Sequence, residues 1–356
     1  MTRIPQRVSL VAQVADILRE ALRDGRWPHH LPGEHSLSDL LQVSRSTLRA
    51  ALELLRREGL LRVSQGRRRW LTPEARRRRL PTSKTIGVVS SMRLDEMSGR
   101  SIFVMDELRR HLQRGGFELQ LHPLPPSTQR AEARQLRLLV ERTRAACWVL
   151  SSCTKELQSW FARNPWPTLV LGSCHEGVDL PSFTLDYAAS CRHAIGELRR
   201  LGHRRIALVM ERTPFAGMTE VEESFREALG EDGHCPVRHH DGSVPGIERL
   251  LSALATGPAR PTAVIATRAV DSLTIFTRFL QSGVRVPRDV SMVSLFDDFF
   301  LTRVTPPIAR YACNNTTFAR RLGRLVIQMA GSRTRPRSVR VLPDFVPGGT
   351  MGRAPQ

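Results

Sequence analysis

The chain has 356 residues and a formal net charge of +20, which arises from 54 basic and 34 acidic side chains. Its length predicts about two or three domains, and its 41% hydrophobic and 25% charged residues exclude a disordered chain. The charge excess favours a polyanionic partner, meaning nucleic acid or an anionic membrane surface. An arginine-biased codon pool would account for the shortage of lysine, of which only Lys84 and Lys155 occur, but not for the net excess.

Several protein classes are excluded by what the sequence lacks. No run approaches the roughly 18–20 apolar residues of a membrane span, and polar residues such as Asp16 and Glu20 interrupt the N-terminal segment, so it is not a signal peptide. The six cysteines form neither a CxxC pair nor a zinc-type cluster with histidine. We therefore expect a soluble protein of a reducing cytoplasm, with buried free thiols, no cofactor and no membrane partner.

The N-terminal part has the pattern of a helix-turn-helix. Apolar residues recur at helical spacing from Leu10 to Asp24, and a glycine follows where the helix should end. A second helix is predicted from Ser36 to Gln42, with Ser36 or Ser38 as its cap, and a longer, basic helix from Arg45 to Glu58. Two short helices separated by a tight turn, the second one basic, are typical of DNA-binding proteins.

The start of the third helix carries groups that suit DNA. Hydroxyls and amides at a helix N-terminus bind phosphate oxygens well, and Ser44, Ser46 and Thr47 lie there. Arg45 and Arg49 are four residues apart on the face opposite the leucines, from which they can reach guanine edges or phosphates. An isolated pair of this spacing would equally fit a solvated helix face.

A β-hairpin is predicted after the third helix. The apolar runs 60–63 and 69–71 flank the basic turn Ser64–Arg68, which contains Gly66. Such a wing would hold Arg67, Arg68 and Arg69 against a phosphate backbone or in a minor groove.

The segment LPGEHSLSDLLQVSRSTLRAALELLRREGLLRVSQGRRRWL, residues 31–71, resembles the winged helix-turn-helix of the GntR family of bacterial transcription regulators. Arg68 is a departure, because the family usually has a second wing glycine there, and Glu34 resembles the acidic residue that the family has before its second helix. The resemblance implies DNA-contact roles for part of the candidate DNA-binding set. That set is Ser44, Arg45, Ser46, Thr47, Arg49, Gly66, Arg67 and Arg68.

A change of composition marks a linker. Residues 73–84 contain two prolines and the four consecutive arginines Arg76–Arg79, without apolar periodicity. The arginine run fits either a phosphate track or a solvated linker. Residues 1–80 carry a net charge of +9 and the remaining 276 residues +11, so the charge is concentrated in the N-terminal part. We predict a DNA-binding domain at 1–72, a linker at 73–84 and a third segment at 85–352.

From residue 85 onward, short apolar runs alternate with amphipathic stretches. The predicted strands are TIGVVSS, FELQLHPL, AACWVLSS, PTLVLGS, RRIALVM, TAVIAT and SMVSLF, with helices near Phe103–Arg114 and Arg130–Arg142. This alternation indicates parallel sheets covered by helices on both faces, and about 270 residues favour two lobes over one sheet. Ligands of such folds bind outside the carboxyl ends of the strands, in a cleft. His239 and His240 lie in a polar stretch that we predict to be a loop.

Three segments resemble the effector domain of the LacI/GalR family, which is similar to periplasmic sugar-binding proteins. They are DYAASCRHAIGELRRLGHRRIALV from Asp186, GVRVPRDVSMVSLFDD from Gly283, and TPP from Thr305. The resemblance implies a two-lobed α/β domain in which His203 is structural, not catalytic. It also implies ligand contacts for Asp186 and Asp297, which match acidic residues of the family.

Other sugar contacts of that family are replaced in this sequence. Arg268 and Ala269 stand in place of an Asn-Asp pair, Val221 in place of one arginine and Gly348 in place of another. The planar cation of Arg268 would suit an acidic ligand such as a sugar acid or sugar phosphate, whereas the alternative is an ion pair at the surface or between lobes. The candidate ligand-binding residues, most of them at strand ends, are Ser91, Ser151, Asp186, Arg268 and Asp297.

We therefore predict an α+β winged helix-turn-helix domain followed by a periplasmic-binding-protein-like α/β domain. The function that this order favours is a transcription regulator, in particular a homodimeric repressor that binds double-stranded operator DNA and a small sugar-like or acidic effector. A constitutive regulator with a vestigial, dimerisation-only C-terminal domain is the alternative. An enzyme is not predicted, because no nucleophile elbow, HExxH or P-loop occurs, and only Lys84 and Lys155 are available for a Schiff base.

Overall fold

The computed structural model describes residues 9–23, 27, 30–63, 69–72, 83–124, 129–229, 236–255, 260–332 and 335–355. The chain divides into two compact units. The smaller one comprises Met1–Lys84 with the short segments Arg144–Ala146 and Gln328–Thr334, and the larger one comprises the rest. None of the described helices is long and apolar enough to cross a membrane.

The smaller unit contains a winged helix-turn-helix. Its helices are α1 (Leu10–Arg23), α2 (Glu34–Leu41) and α3 (Arg45–Arg57), and its hairpin pairs β1 (Leu61–Val63) with β2 (Arg69–Leu71) in antiparallel register. The apolar stripes of the three helices meet in one core, since each stripe must be removed from water. That core is formed by Val14, Ala15, Leu18, Leu22, Leu31, Leu37, Leu48, Ala51, Leu52, Leu55, Leu61 and Leu71.

The start of α2 differs from the sequence prediction. The helix begins at Glu34, with Gly33 as the capping residue, so neither Ser36 nor Ser38 is the cap. Ser38 is buried inside the helix and its hydroxyl donates to the carbonyl of Val43 in the turn. The helix starts before its apolar stripe because a carboxylate in the first turn interacts favourably with the helix dipole.

The larger unit contains two six-stranded sheets, which define two lobes. Lobe 1 has the strand order β13-β7-β6-β5-β3-β4 and lobe 2 the order β14-β12-β11-β10-β8-β9. The strands of lobe 1 are β3 (Thr85–Ser90), β4 (Glu118–Pro123), β5 (Cys147–Ser151), β6 (Thr168–Leu171), β7 (Ser182–Leu185) and β13 (Val339–Val341). Those of lobe 2 are β8 (Ile206–Glu211), β9 (Val237–His240), β10 (Ala263–Ala266), β11 (Ser291–Ser294), β12 (Ala309–Ala312) and β14 (Asp344–Val346).

Helices cover both faces of each sheet, which explains the nearly continuous apolar runs of the strands. In the described part of the larger unit, every strand pair is parallel except β12 with β14. The helices are α4 (Gly99–Arg114), α5 (Gln129–Thr143), α6 (Lys155–Ala162), α7 (Tyr187–Arg200), α8 (Ala216–Leu229), α9 (Val244–Ala255), α10 (Ala269–Gln281) and α11 (Asn315–Ser332). The chain crosses between the sheets after β7, after β12 and after β13. The two-lobed architecture predicted from the strand pattern is confirmed.

Two histidine predictions have opposite outcomes. His203 is fully buried, and its ring nitrogens lie 2.9 Å from Thr262 Oγ1 and 3.0 Å from Ser291 Oγ, so its structural role is confirmed. The loop predicted at His239 and His240 is wrong, because both residues belong to β9. Polar residues occur in this strand because it is the edge of its sheet.

The described cysteines are free thiols, as predicted. Cys147, Cys153 and Cys191 are buried, whereas Cys174 and Cys313 are partly exposed. Burial raises the pKa of the three buried thiols to about 12, so these groups are protonated and unreactive near neutral pH. Cys235 lies outside the described residues.

Candidate functional site

The N-terminus of α3 presents a cluster of hydroxyls and free amides. Ser44 caps the helix, and its Oγ accepts a hydrogen bond of 3.2 Å from the Thr47 amide. The hydroxyls of Ser46 and Thr47 each lie 2.8 Å from Ser44 Oγ. These three residues are thus together on the first turn of α3, where the helix dipole and the unpaired N–H groups favour a phosphate oxygen.

Arg45 and Arg49 are exposed on α3, one helical turn apart, whereas Leu48 and Leu52 of the same helix are buried. Arg45 Nη2 is 3.1 Å from His35 Nδ1 of α2. Arg49 Nε donates to Glu34 Oε2 at 2.7 Å, while its side chain stays 65% exposed. Both guanidinium groups are therefore held near α2 but remain accessible from outside.

Glu34 links the helix-turn-helix to the wing. Its second carboxylate oxygen accepts 2.7 Å from Arg69 Nη1 of β2, so one side chain connects α2, α3 and the hairpin. The hydrogen bond from Arg49 lowers the pKa of Glu34, and Arg69 lowers it further, which keeps the carboxyl charged. Arg69 is therefore paired with Glu34, which differs from the phosphate contact that the sequence predicted for it.

The tip of the wing and most of the linker lie outside the described residues. This applies to three of the candidate DNA contacts, Gly66, Arg67 and Arg68, and to the arginine run Arg76–Arg79. Their roles stay predictions.

The candidate ligand residues of lobe 1 lie at strand ends. Ser91 directly follows β3 and is 7% exposed, and its Oγ has no hydrogen-bond partner among the described residues. Ser151 is the last residue of β5, and β3 and β5 are adjacent, with Ser90 opposite Ser151. The two serines therefore share one edge of the sheet, as expected for parallel strands.

The two acidic candidates are already bonded within the protein. Asp186 lies where the chain enters lobe 2, and its Oδ1 accepts 2.9 Å from the amide of Ala189 at the start of α7. Asp297 follows β11, and its Oδ1 accepts 2.7 Å from Arg310 Nε. Burial raises the pKa of Asp297, although Arg310 opposes this effect.

Arg268 is neutralised by carboxylates of its own lobe. It forms an ion pair with Glu211 at the end of β8, and its Nε lies 3.6 Å from Asp271 Oδ2, a group that is 1% exposed. Asp271 also faces His240, whose Nε2 is 3.3 Å away. The structure thus has the ion pair that was the alternative for Arg268, but within lobe 2 and not between lobes.

Three further residues, which the sequence did not identify as candidates, are Arg100, Tyr187 and Phe296. Arg100 lies in the first turn of α4, with its Cζ 5.0 Å from the centre of the Phe318 ring of α11. Tyr187 stacks on Phe296 with ring centres 4.0 Å apart. The helix predicted near Phe103 begins at Gly99 and therefore includes Arg100; the capping residue Ser98 is the sequence signal for this earlier start.

No group of three or more potential metal-ligating side chains occurs in the described part of the chain. The polar side chains at the strand ends are hydroxyls, single carboxylates and arginines. Such groups bind hydroxyls and anions by hydrogen bonds.

Two family models match separate parts of the chain. Residues 10–69 match the bacterial regulatory proteins of the gntR family. Residues 195–351 match the periplasmic binding protein-like domain.

One relative matches most of the chain, and another matches a smaller part of it. The chain is 24% identical to the arabinose metabolism transcriptional repressor of Geobacillus stearothermophilus over 85% of this chain and 86% of the relative. It is 29% identical to the ribose operon repressor of Haemophilus influenzae over 30% of this chain and 34% of that protein.

Solved structures share the fold. A LacI family transcriptional regulator from Bifidobacterium animalis subsp. lactis superposes with a TM-score of 0.67 at 20% identity, covering 76% of this chain and 98% of the other. The transcriptional regulator CelR-cellobiose complex gives 0.65 at 19% identity, with 97% and 100% covered. The chain is therefore a DNA-binding transcription regulator that joins a gntR-type helix-turn-helix domain to a periplasmic binding protein-like domain, and its larger unit has the fold seen in LacI family regulators.

Proposed function

We propose that this protein is a homodimeric repressor of sugar metabolism genes that binds a near-palindromic operator and releases it when a sugar-like effector occupies the cleft between the lobes. The observation that carries the proposal is the first turn of α3, where Ser44, Ser46 and Thr47 flank the exposed cations Arg45 and Arg49. Hydroxyls and amides there suit phosphate, and the arginines suit guanine edges.

The assignment of a sugar-like effector rests on relatives and on the cleft. The printed names of the relatives refer to arabinose and ribose, and one structural neighbour is a cellobiose complex. Within this chain, Ser91 Oγ, Thr213 Oγ1 and Thr267 Oγ1 follow strand ends, are buried and have no hydrogen-bond partner among the described residues. Buried hydroxyls are normally bonded, so a polyhydroxyl ligand would complete them.

Regulation follows from linkage. An effector that binds one arrangement of the lobes better than another shifts the protein towards that arrangement. If the operator favours the other arrangement, effector and operator weaken each other by the same factor. A dimer also matches the symmetry of an operator with two half-sites. We propose that the protein acts in the bacterial cytoplasm, where both ligands occur.

The domain bounds 1–72, 73–84 and 85–352 are part of this proposal. So are the candidate DNA contacts of the wing, Gly66, Arg67 and Arg68, and the ligand contacts Ser91, Ser151, Asp186 and Asp297.

The experiment has two steps. Genome-wide mapping of bound sites identifies the operator, and fluorescence anisotropy on that duplex then measures affinity with and without L-arabinose, D-ribose, cellobiose and related sugars. We expect nanomolar binding and a 5- to 150-fold loss with the effector, the usual range of about 1–3 kcal/mol for coupling. Tight operator binding that none of these sugars, and no sugar acid or sugar phosphate, alters would favour the constitutive alternative. Absence of sequence-specific binding would contradict the proposal itself.

A further inference from the structure

Arg100 has no carboxylate at ion-pair distance among the described residues, unlike Arg268, Arg310 and Arg340. Its Nη2 is buried without a hydrogen-bond acceptor among the described residues, and the face of its guanidinium rests on Phe318. By contrast, Arg310 binds Asp297, Arg340 binds Glu220, and Arg268 binds Glu211. A buried guanidinium N–H without an acceptor is costly, so such a group is a candidate for completion by a ligand.

The positive charge of Arg100 affects the pKa values of side chains in the segments that connect the lobes. Burial raises the pKa values of Tyr187 at the start of α7 and of Cys313 after β12, and the positive charge of Arg100 opposes both shifts. Asp297 after β11 responds in the same way. Arg100 belongs to lobe 1, and its guanidinium therefore lies close to groups of lobe 2 at their crossover.

Close to Phe318 there is also a hydrogen-bond acceptor that has no donor. Asn315 lies one helical turn before Phe318 on α11, and its Oδ1 is buried with no partner in the described part of the chain. The stacked rings of Tyr187 and Phe296 add an apolar surface in the same region. Together, these groups suit a ligand with a ring or carbon chain, an anionic group and at least one hydroxyl.

We propose that Arg100 binds an anionic group of the effector, so that the effector is a sugar acid or a sugar phosphate and not a neutral sugar. The inference rests on the cleft of the proposed function and names the chemical class of its ligand. The carboxylate or phosphate accepts from Nη2 of the planar guanidinium, which Phe318 holds in place, and a neighbouring hydroxyl donates to Asn315. A neutral sugar would satisfy the hydrogen bond but leave the charge unpaired.

The test uses the full chain and five probes at equal ionic strength. D-Gluconate and D-glucuronate supply a carboxylate, D-glucose 6-phosphate supplies a phosphate, and D-glucose and L-arabinose are neutral. Calorimetry and thermal shift are measured for the wild type, Arg100→Gln and Arg100→Lys. The matched control is Arg109→Gln, because Arg109 lies on the exposed side of the same helix and is paired with Asp106.

We expect an anionic probe to bind the wild type and the Arg109→Gln variant equally. Arg100→Gln should weaken that binding about 10- to 100-fold, as for a lost charge-assisted hydrogen bond, and Arg100→Lys should recover part of it. Without ligand, the melting temperature of Arg100→Gln should stay within about 2 °C of the wild type. Comparison of the carboxylate probes with the phosphate probe shows which anionic group the site binds.

Three results would overturn the inference. Binding of a neutral sugar that Arg100→Gln leaves unchanged would overturn it while the proposed function stands. A fall of several degrees in the melting temperature of ligand-free Arg100→Gln would make Arg100 a structural residue. A protein that binds none of the probes, and whose operator affinity no sugar or anion changes, would contradict the proposed function as well.

Discussion

Arg340 in β13 of lobe 1 donates two hydrogen bonds, each 2.9 Å long, to the two carboxylate oxygens of Glu220 in α8 of lobe 2. Ser173, which follows β6 in lobe 1, donates a third of 2.9 Å to Glu220 Oε2. A bidentate pair fixes orientation as well as distance. The protein therefore joins its own lobes at one point of the cleft, next to Val221, the position where the LacI-type pattern has an arginine.

We expect the Arg340–Glu220 pair to contribute about 1 kcal/mol to the stability of the larger unit, because both side chains are partly exposed and screened by water. The coupling energy is measured by urea unfolding of Glu220→Gln, Arg340→Gln and the double variant. The exposed pair Arg335–Asp179, which lies within lobe 1, is the control and should show no measurable coupling. Additive effects of the two cleft substitutions would mean that the pair does not hold the lobes.

Arg45→Ala or Arg49→Ala should weaken operator binding by about 1–3 kcal/mol if the side chain contacts a base. A loss that is equal on operator and unrelated DNA would instead identify a phosphate contact. Anisotropy titrations on both duplexes separate these cases. Arg57→Gln is the control, since Arg57 is exposed at the other end of α3 and pairs with Glu53. Full binding by both alanine variants would mean that α3 is not the recognition helix.

Glu34→Gln should weaken operator binding through Arg49 without removing a DNA contact. The substitution takes away the carboxylate that holds Arg49 and Arg69, so the arginine becomes less well positioned. Because the carboxylate is the group that holds the arginines, Glu34→Asp should recover part of the operator affinity that Glu34→Gln loses. An affinity that is the same for wild type and Glu34→Gln would show that Arg49 needs no such support.

His203 should make the stability of the larger unit depend on pH in the acidic range. Burial lowers its pKa in the folded chain, so the unfolded chain binds the proton more readily. Its contribution is therefore complete above the unfolded pKa of about 6.5 and is lost as the pH falls below it. Urea unfolding at pH 7.5 and 5.5 should show a smaller pH effect in His203→Gln, which also loses about 2–3 kcal/mol at pH 7.5.

Gly87→Ala should destabilise lobe 1 by about 1–3 kcal/mol, because a Cβ on this residue of β3 would overlap the buried ring of Trp148. Thermal unfolding followed by tryptophan fluorescence measures the effect. Gly196→Ala is the matched control, since Gly196 lies exposed in α7 with no neighbour near its Cβ position. That substitution should stabilise by about 0.5–1 kcal/mol. A neutral Gly87→Ala would show that the Trp148 ring moves freely.

Local sequence patterns predicted the winged helix-turn-helix and the alternation of strands and helices that follows it. Helical and strand periodicities are local, so the predicted third helix and the wing strands agree with α3, β1 and β2 within one or two residues. The motifs around Ser44 and around His203 are also local runs. A structural role for His203 followed from its place in such a run, and its burial against Thr262 and Ser291 confirmed it.

Tertiary structure decided which charges are neutralised. The sequence left Arg268 open between a ligand contact and an ion pair, and the fold pairs it with Glu211. Arg100, which the sequence did not single out, has no carboxylate at ion-pair distance among the described residues. Arg340 and Glu220 are 120 residues apart, and Glu34 and Arg69 are 35 apart. Ion pairs form over a few ångströms of space, and spacing along the chain does not fix that distance once sheets bring remote strand ends together. The helix-turn-helix can thus be predicted from the sequence, whereas the pairing of the arginines with carboxylates depends on the fold.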